Sequence, residues 1–204
     1  MILHAVGIVG VVICVDAAIL TCAARALVAG GFSMNCAVSG LRLMACCLAF
    51  VLQLTVALRG DWSGVPVIVL LGTAIVCAAT DAATGYVFDG VTIPALLAIL
   101  ELQLSIGATP ALIGTAIGGG VLFALYAGTF GRGLGLGDVK LACCIGAGLG
   151  SEGVSFALGF AFVVGGAYAA YLLLTRRGAR GDEIPFAPYL ASGTLAVALY
   201  RSLA

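Results

Sequence analysis

The sequence predicts an all-α, polytopic membrane protein. Of its 204 residues, 63% are hydrophobic and 9% charged, with a mean hydropathy of +1.24, so no polar half remains to build a soluble domain. Apolar runs of about 20 residues, the length that carries a helix across hydrocarbon, recur between short polar breaks. The ten-residue segments of alternating apolar and polar residues that mark a membrane barrel are not found.

Taken in order, the apolar runs predict about eight transmembrane helices: Ile2–Leu27, Leu41–Leu58, Val65–Ala79, Val91–Ile106, Ala111–Phe130, Leu136–Leu149, Val154–Thr175 and Phe186–Tyr200. The first run is too long for the apolar core of a signal peptide and has no basic residue ahead of it, so it reads as a span. Breaks between helices carry turn chemistry: Gly30-Gly31, Arg59-Gly60-Asp61, Thr84-Gly85, Thr109-Pro110, Gly150-Ser151-Glu152-Gly153, and the polar loop Arg176 to Glu183 before Pro185. Val65–Ala79 and Leu136–Leu149 are short for a bilayer of ordinary thickness and suggest tilted or re-entrant segments. The 30 glycines, in runs such as Gly114 to Gly120 and Gly146 to Gly150, let helix backbones approach closely where lipid supplies no hydrophobic drive. All of this reads as one domain over 1–204, with two helices in 1–60 and a core over 65–200.

Basic residues near helix ends are retained in the cytoplasm. If the loops after the first, third, fifth and seventh helices are cytoplasmic, they hold Arg25, Arg42, Arg132, Lys140, Arg176, Arg177 and Arg180, leaving Arg59 and Arg201 outside. The stretches Asp81–Gly90 and Gly131–Asp138 then open on the same, cytoplasmic side. Nine basic and nine acidic side chains cancel, so charge gives no argument for nucleic acid as a partner; the lipid bilayer is the partner that composition implies. The sequence assigns no oligomeric state.

The eight cysteines lie mostly inside apolar runs, with no Cys-x-x-Cys pair, and neighbours such as Cys143-Cys144 point to different faces of a helix. They read as small packing residues, and neither a metal site nor a cofactor is expected. A single histidine, His4, falls near the outer start of the first helix, which argues against a serine–histidine or zinc mechanism on the inner face.

Acids within apolar sequence are costly and tend to be functional. Asp16, Asp81, Asp89, Glu101 and Asp138 qualify. Asp81 closes the third helix and Asp138 opens the sixth, at the same membrane face. Two such carboxyls meeting across a cleft would hold one proton between them, and the pair could activate a water for attack on a peptide carbonyl and protonate the departing amine. Gly133, Gly135 and Gly137 leave the main chain ahead of Asp138 free of side chains, so an extended substrate could lie against it. Asp89 reads as a turn residue that shapes its loop. Lys140, two residues past Asp138, faces elsewhere on a helix and is expected to snorkel to the interface. Asp16 and Glu101 read as structural.

Gly135-Leu136-Gly137-Asp138 resembles the Gly-x-Gly-Asp motif of aspartic membrane peptidases, and Gly-Asp-Val-Lys followed by small residues is similar to the type IV prepilin peptidases. Asp81, with Asp89-Gly-Val-Thr-Ile-Pro94 after it, resembles that family's segment in which an aspartate precedes Pro-Asp and Leu-Thr-x-Pro. Ile184-Pro-Phe-Ala-Pro-Tyr-Leu-Ala-Ser-Gly193 resembles its Pro-Phe-Gly-Pro-Phe-Leu-Ala segment, with Pro185 leading it. Phe88 and Ala187 depart from the pattern, standing where a proline and a glycine are usual.

The resemblance, over about Val65 to Tyr200, implies an aspartic endopeptidase in a bacterial or archaeal cytoplasmic membrane. Asp81 and Asp138 would be its catalytic pair on the cytoplasmic side, and prepilins or pseudopilins, cut ahead of their hydrophobic stalk helix, its substrates. Larger members carry a Cys-x-x-Cys insertion after the first helix and methylate the new N-terminus; only Ala29–Gly40, with Cys36, stands there in this sequence, so the methyltransferase half is expected to be missing or reduced to the helices alone. Competing readings are a small ion-coupled transporter or channel, which should show a paired set of broken helices, and a presenilin-like intramembrane protease, which shares only Gly-x-Gly-Asp.

Overall fold

The computed structural model describes residues 64–104, 107–131, 133–175 and 184–203. Helices expected at Ile2–Leu27 and Leu41–Leu58 lie outside these residues, as do His4, Asp16, Cys36, Arg25, Arg42, Arg59, Arg132 and the basic loop from Arg176.

Among the described residues the fold is all-helical, with five helices: α1 Val65–Thr84, α2 Asp89–Leu104, α3 Ala108–Gly128, α4 Leu136–Leu174 and α5 Ala187–Leu203. Three of them, α1, α3 and α4, are long and apolar enough to cross a membrane. The six helices predicted for this region thus become five, and the expected total of about eight is not shown. The segments predicted at Leu136–Leu149 and Val154–Thr175 belong to one helix, α4, broken at Gly150 (φ 70°, ψ −176°) where a four-residue loop was expected. A glycine alone supplies the left-handed backbone the break requires.

That break reverses the chain. A Cβ on Gly118 of α3 would strike Ala142 O on the first arm of α4 and stand 3.0 Å from Val154 Cγ2 on the second. In a straight helix residues 142 and 154 would lie about 18 Å apart. One turn earlier, Gly114 faces Gly146 and Gly150 in the same way. The first arm therefore runs antiparallel to α3 and the second parallel to it.

The first arm, about 21 Å long at 1.5 Å per residue, occupies the centre of the bundle. Nearly every residue from Asp138 to Leu149 is buried, enclosed by α1 through Leu70 on Gly148, by α2 through Thr92 and Gln103, and by α3 through its glycines. Its last carbonyls, left without helical partners by the break, are taken from two sides. Gln103 Nε2 donates to Ala147 O and Gly148 O at 3.3 and 3.4 Å, and Arg201 Nη2 donates to Leu149 O at 2.8 Å.

The short span expected at Val65–Ala79 is longer than predicted. α1 carries Pro66 in its first turn, where a missing N–H costs nothing, and continues to Thr84, ending on left-handed Gly85, whose N–H bonds to Asp81 O. Asp81, expected to close this helix, sits in its last turn. Leu70, Leu141, Ile145, Ile99, Leu122 and Leu190, all fully buried, bring the five helices onto one core.

Candidate active site

Asp81 and Asp138 lie at one end of this bundle, away from the Gly150 turn, and are 6% and 7% exposed. Each carboxylate is placed at the start of a helix. Ala187 N, the first amide of α5, donates to Asp81 Oδ2 at 3.0 Å, and the Phe186 amide is directed at the same group. An N-terminal amide has no partner within its own helix and the helix dipole favours a negative charge there. Pro188, with no N–H to satisfy, fits the same first turn. Asp138 is the third residue of α4, and its Oδ2 accepts the N–H of Gly135, which precedes the helix, at 3.1 Å. Asp138 Oδ1 is buried and has no hydrogen-bond partner among the described residues.

Both acids stand where the end of α1 meets the start of α4. Cys77, one turn before Asp81, is fully buried. The loop 85–88 bridges the two helix ends. It leaves α1 at Gly85 and lays Val87 against Gly137, where a Cβ would stand 2.6 Å from Val87 Cβ and 3.2 Å from Val87 O. On the far side an aromatic set anchors the start of α5. Phe186 meets Phe162 of the second α4 arm with ring centres 5.3 Å apart, Tyr189 meets Tyr168 at 6.1 Å, and Gly165 leaves both rings room.

The other predicted site residues fall around this centre. Gly135 is exposed, with its N–H directed to Asp138; Gly137 is half-buried under Val87. Pro185 is exposed just ahead of α5. Asp89, the first residue of α2, is exposed and paired with Lys140 at 2.6 Å. Lys140, expected to snorkel to the interface, is half-exposed and paired, because the start of α2 brings a carboxylate within its reach. Glu101 lies on the exposed side of α2, away from the acid pair. Sequence reasoning missed Val87 and the Ala187 amide. Only the doubled proline of Pro-Phe-Ala-Pro hinted at the last. Among the described residues no group of three His, Cys, Asp or Glu side chains could hold a metal ion.

Apolar helices of spanning length define a multi-pass membrane protein, and two buried carboxylates lie at one end of it. Residues 68–170, which include both acids, match the type IV leader peptidase family, and the chain belongs to that family. It is 39% identical over 89 residues to the prepilin leader peptidase/N-methyltransferase of Bacillus subtilis (strain 168), covering 44% of this chain and 36% of that one. It is 31% identical over 156 residues to the protein of the same name from Aeromonas salmonicida (strain A449), covering 73% of this chain and 53% of that one. The chain thus spans about a third to a half of the length of the curated relatives it matches. No solved structure matches it.

Proposed function

We propose that this protein is a membrane aspartic endopeptidase that removes the leader of type IV prepilins or pseudopilins at the cytoplasmic face of the inner membrane, with Asp81 and Asp138 as the catalytic pair. The observation that carries the reading is the gathering of two buried carboxylates from separate helices, one with an unpartnered oxygen, in a chain of the leader peptidase family.

The hydrogen bonds suggest how the work divides. An ionised carboxylate needs donors when it is buried. Asp81 has them at the start of α5 and is the better-supported anion, suited to take a proton from the attacking water. Asp138, with Oδ1 free of any donor, is the better-placed holder of the shared proton, which it would pass to the departing amine. Water supplies the nucleophile, so the reaction needs none from the chain. The exposed segments around the pair, at Tyr86, Phe130 and Gly133–Leu136, would receive the substrate, with Gly135, Gly137, Asp89 and Pro185 shaping the loops that meet it. N-methyltransferase is part of the relatives' name and is not proposed for this chain.

The test is processing of a co-expressed prepilin, followed by the size of the pilin and the new N-terminus. Asp81→Asn and Asp138→Asn should each abolish cleavage while the protein stays in the membrane fraction. Normal processing by either variant would sink the assignment.

A further inference from the structure

Lys140 and Asp89 stand beside the acid pair without belonging to it. Lys140 lies two residues past Asp138 on α4, and Asp89 begins α2. Their side chains are 36% and 58% exposed, yet Nζ and Oδ1 are 2.6 Å apart. Exposed ion pairs add little to global stability, so the location of this one is what asks for a reason.

It closes a ring. From Asp81 the chain runs through left-handed Gly85 and Val87 to Asp89, where α2 starts with Val91 N and Thr92 N donating to Phe88 O. From Asp89 the ion pair crosses to Lys140, and one half-turn of α4 returns to Asp138. Val87 packed on Gly137 lies inside the ring. One turn deeper, Cys144 Sγ donates to Thr92 O at 3.4 Å, so α2 and α4 are joined again below the site. The ion pair is the link at the level of the acids, and because Asp89 holds its Nζ, Lys140 is not directed at Asp138.

We propose that the Asp89–Lys140 pair is a clamp that sets the spacing of Asp81 and Asp138, which makes both of them positioning residues for the reaction proposed above. The inference rests on that reading. A misplacement of about 1 Å between reacting groups costs up to about a hundredfold in rate, so a clamp of small energy can have a large kinetic effect. Breaking it loosens the 85–88 loop over Gly137 and lets the two helix starts drift apart, while the buried core below is unchanged.

The experiment uses the full chain in lipid nanodiscs with a synthetic prepilin peptide. Asp89→Asn and Lys140→Gln should each lower kcat about ten- to a hundredfold with KM unchanged, the double variant should fall no further than the worse single one, and Lys140→Arg should retain activity. Losses that multiply in the double variant, a KM effect in place of a kcat effect, or wild-type kcat in either single variant would overturn the clamp. Asp138→Asn serves as the control: if the wild-type chain leaves the peptide intact, the peptidase reading fails by itself. The clamp is then read by hydrogen exchange, which should quicken over 85–88 and 133–138 equally in both single variants and in the double. Unchanged exchange there would overturn it without reference to activity.

Discussion

Asp138 divides its two oxygens between different tasks. Oδ2 caps its own helix through Gly135 N, and Oδ1 is left buried without a donor. The residues next to it are under steric control. Because a Cβ on Gly137 would press on Val87 at 2.6 Å, Gly137→Ala has to displace the 85–88 loop. Overpacking of this kind costs about 1–3 kcal/mol, and prepilin processing should drop at least about tenfold as the acids separate. The double variant Gly137→Ala/Val87→Gly removes the closest contact, leaving Val87 O at 3.2 Å, and should regain part of the rate. A double variant no better than the single one would show that Gly137 matters for another reason, such as contact with substrate.

At the scale of elements, the seam between α3 and the first arm of α4 is backbone against backbone. Gly114 and Gly118 face Gly146 and Ala142 so closely that a Cβ at Gly114, Gly118 or Gly146 would collide with a carbonyl oxygen of the other helix. Small residues four apart on both partners are what permits this approach in lipid. Gly114→Ala and Gly146→Ala should therefore each lower stability in detergent by about 1–3 kcal/mol or more, read as a fall in thermal midpoint. Gly120, on the same helix with nothing within 4 Å of an added Cβ, is the control: Gly120→Ala should be neutral or slightly stabilising, by up to about 1 kcal/mol of helix propensity. The break at Gly150 depends on a second set of contacts. Arg201→Met leaves Leu149 O without its donor and should cost about 1–3 kcal/mol, with loss of activity following only as the first arm of α4 shifts.

For the whole molecule, the acids lie at one end of the bundle and the Gly150 turn at the other, so the proposed orientation can be read from its two ends. Tyr86, 68% exposed beside the acid pair, and Glu152, exposed just past the turn, mark them. In a background with the native cysteines replaced by alanine, Tyr86→Cys should react with a membrane-impermeant maleimide only in inverted vesicles, and Glu152→Cys only in right-side-out ones. The opposite pattern would place the acid pair outside and remove the proposed access to leader peptides.

Much of this molecule is legible in its residues. Apolar runs of spanning length are nearly independent of context, because hydrocarbon forces backbone groups to bond within each segment, and they yield the helical class and most helix positions from Val65 onward. Even the reversal at Gly150 is signalled by its glycines, though the break uses one residue where four were expected. Asp81 and Asp138 stand out because charge is rare in such sequence. What the linear order does not contain is distance. That Ala187 N reaches a carboxylate on α1, that Val87 closes over Gly137, that Gln103 and Arg201 converge on the broken end of α4 and that Asp89 takes Lys140 are all decided by packing. Composition and spacing determine which segments are helical and where charge is too costly to be incidental. Only the tertiary structure decides which helix ends meet, because backbone-close glycine seams and long-range polar contacts depend on the relative placement of helices far apart in the chain.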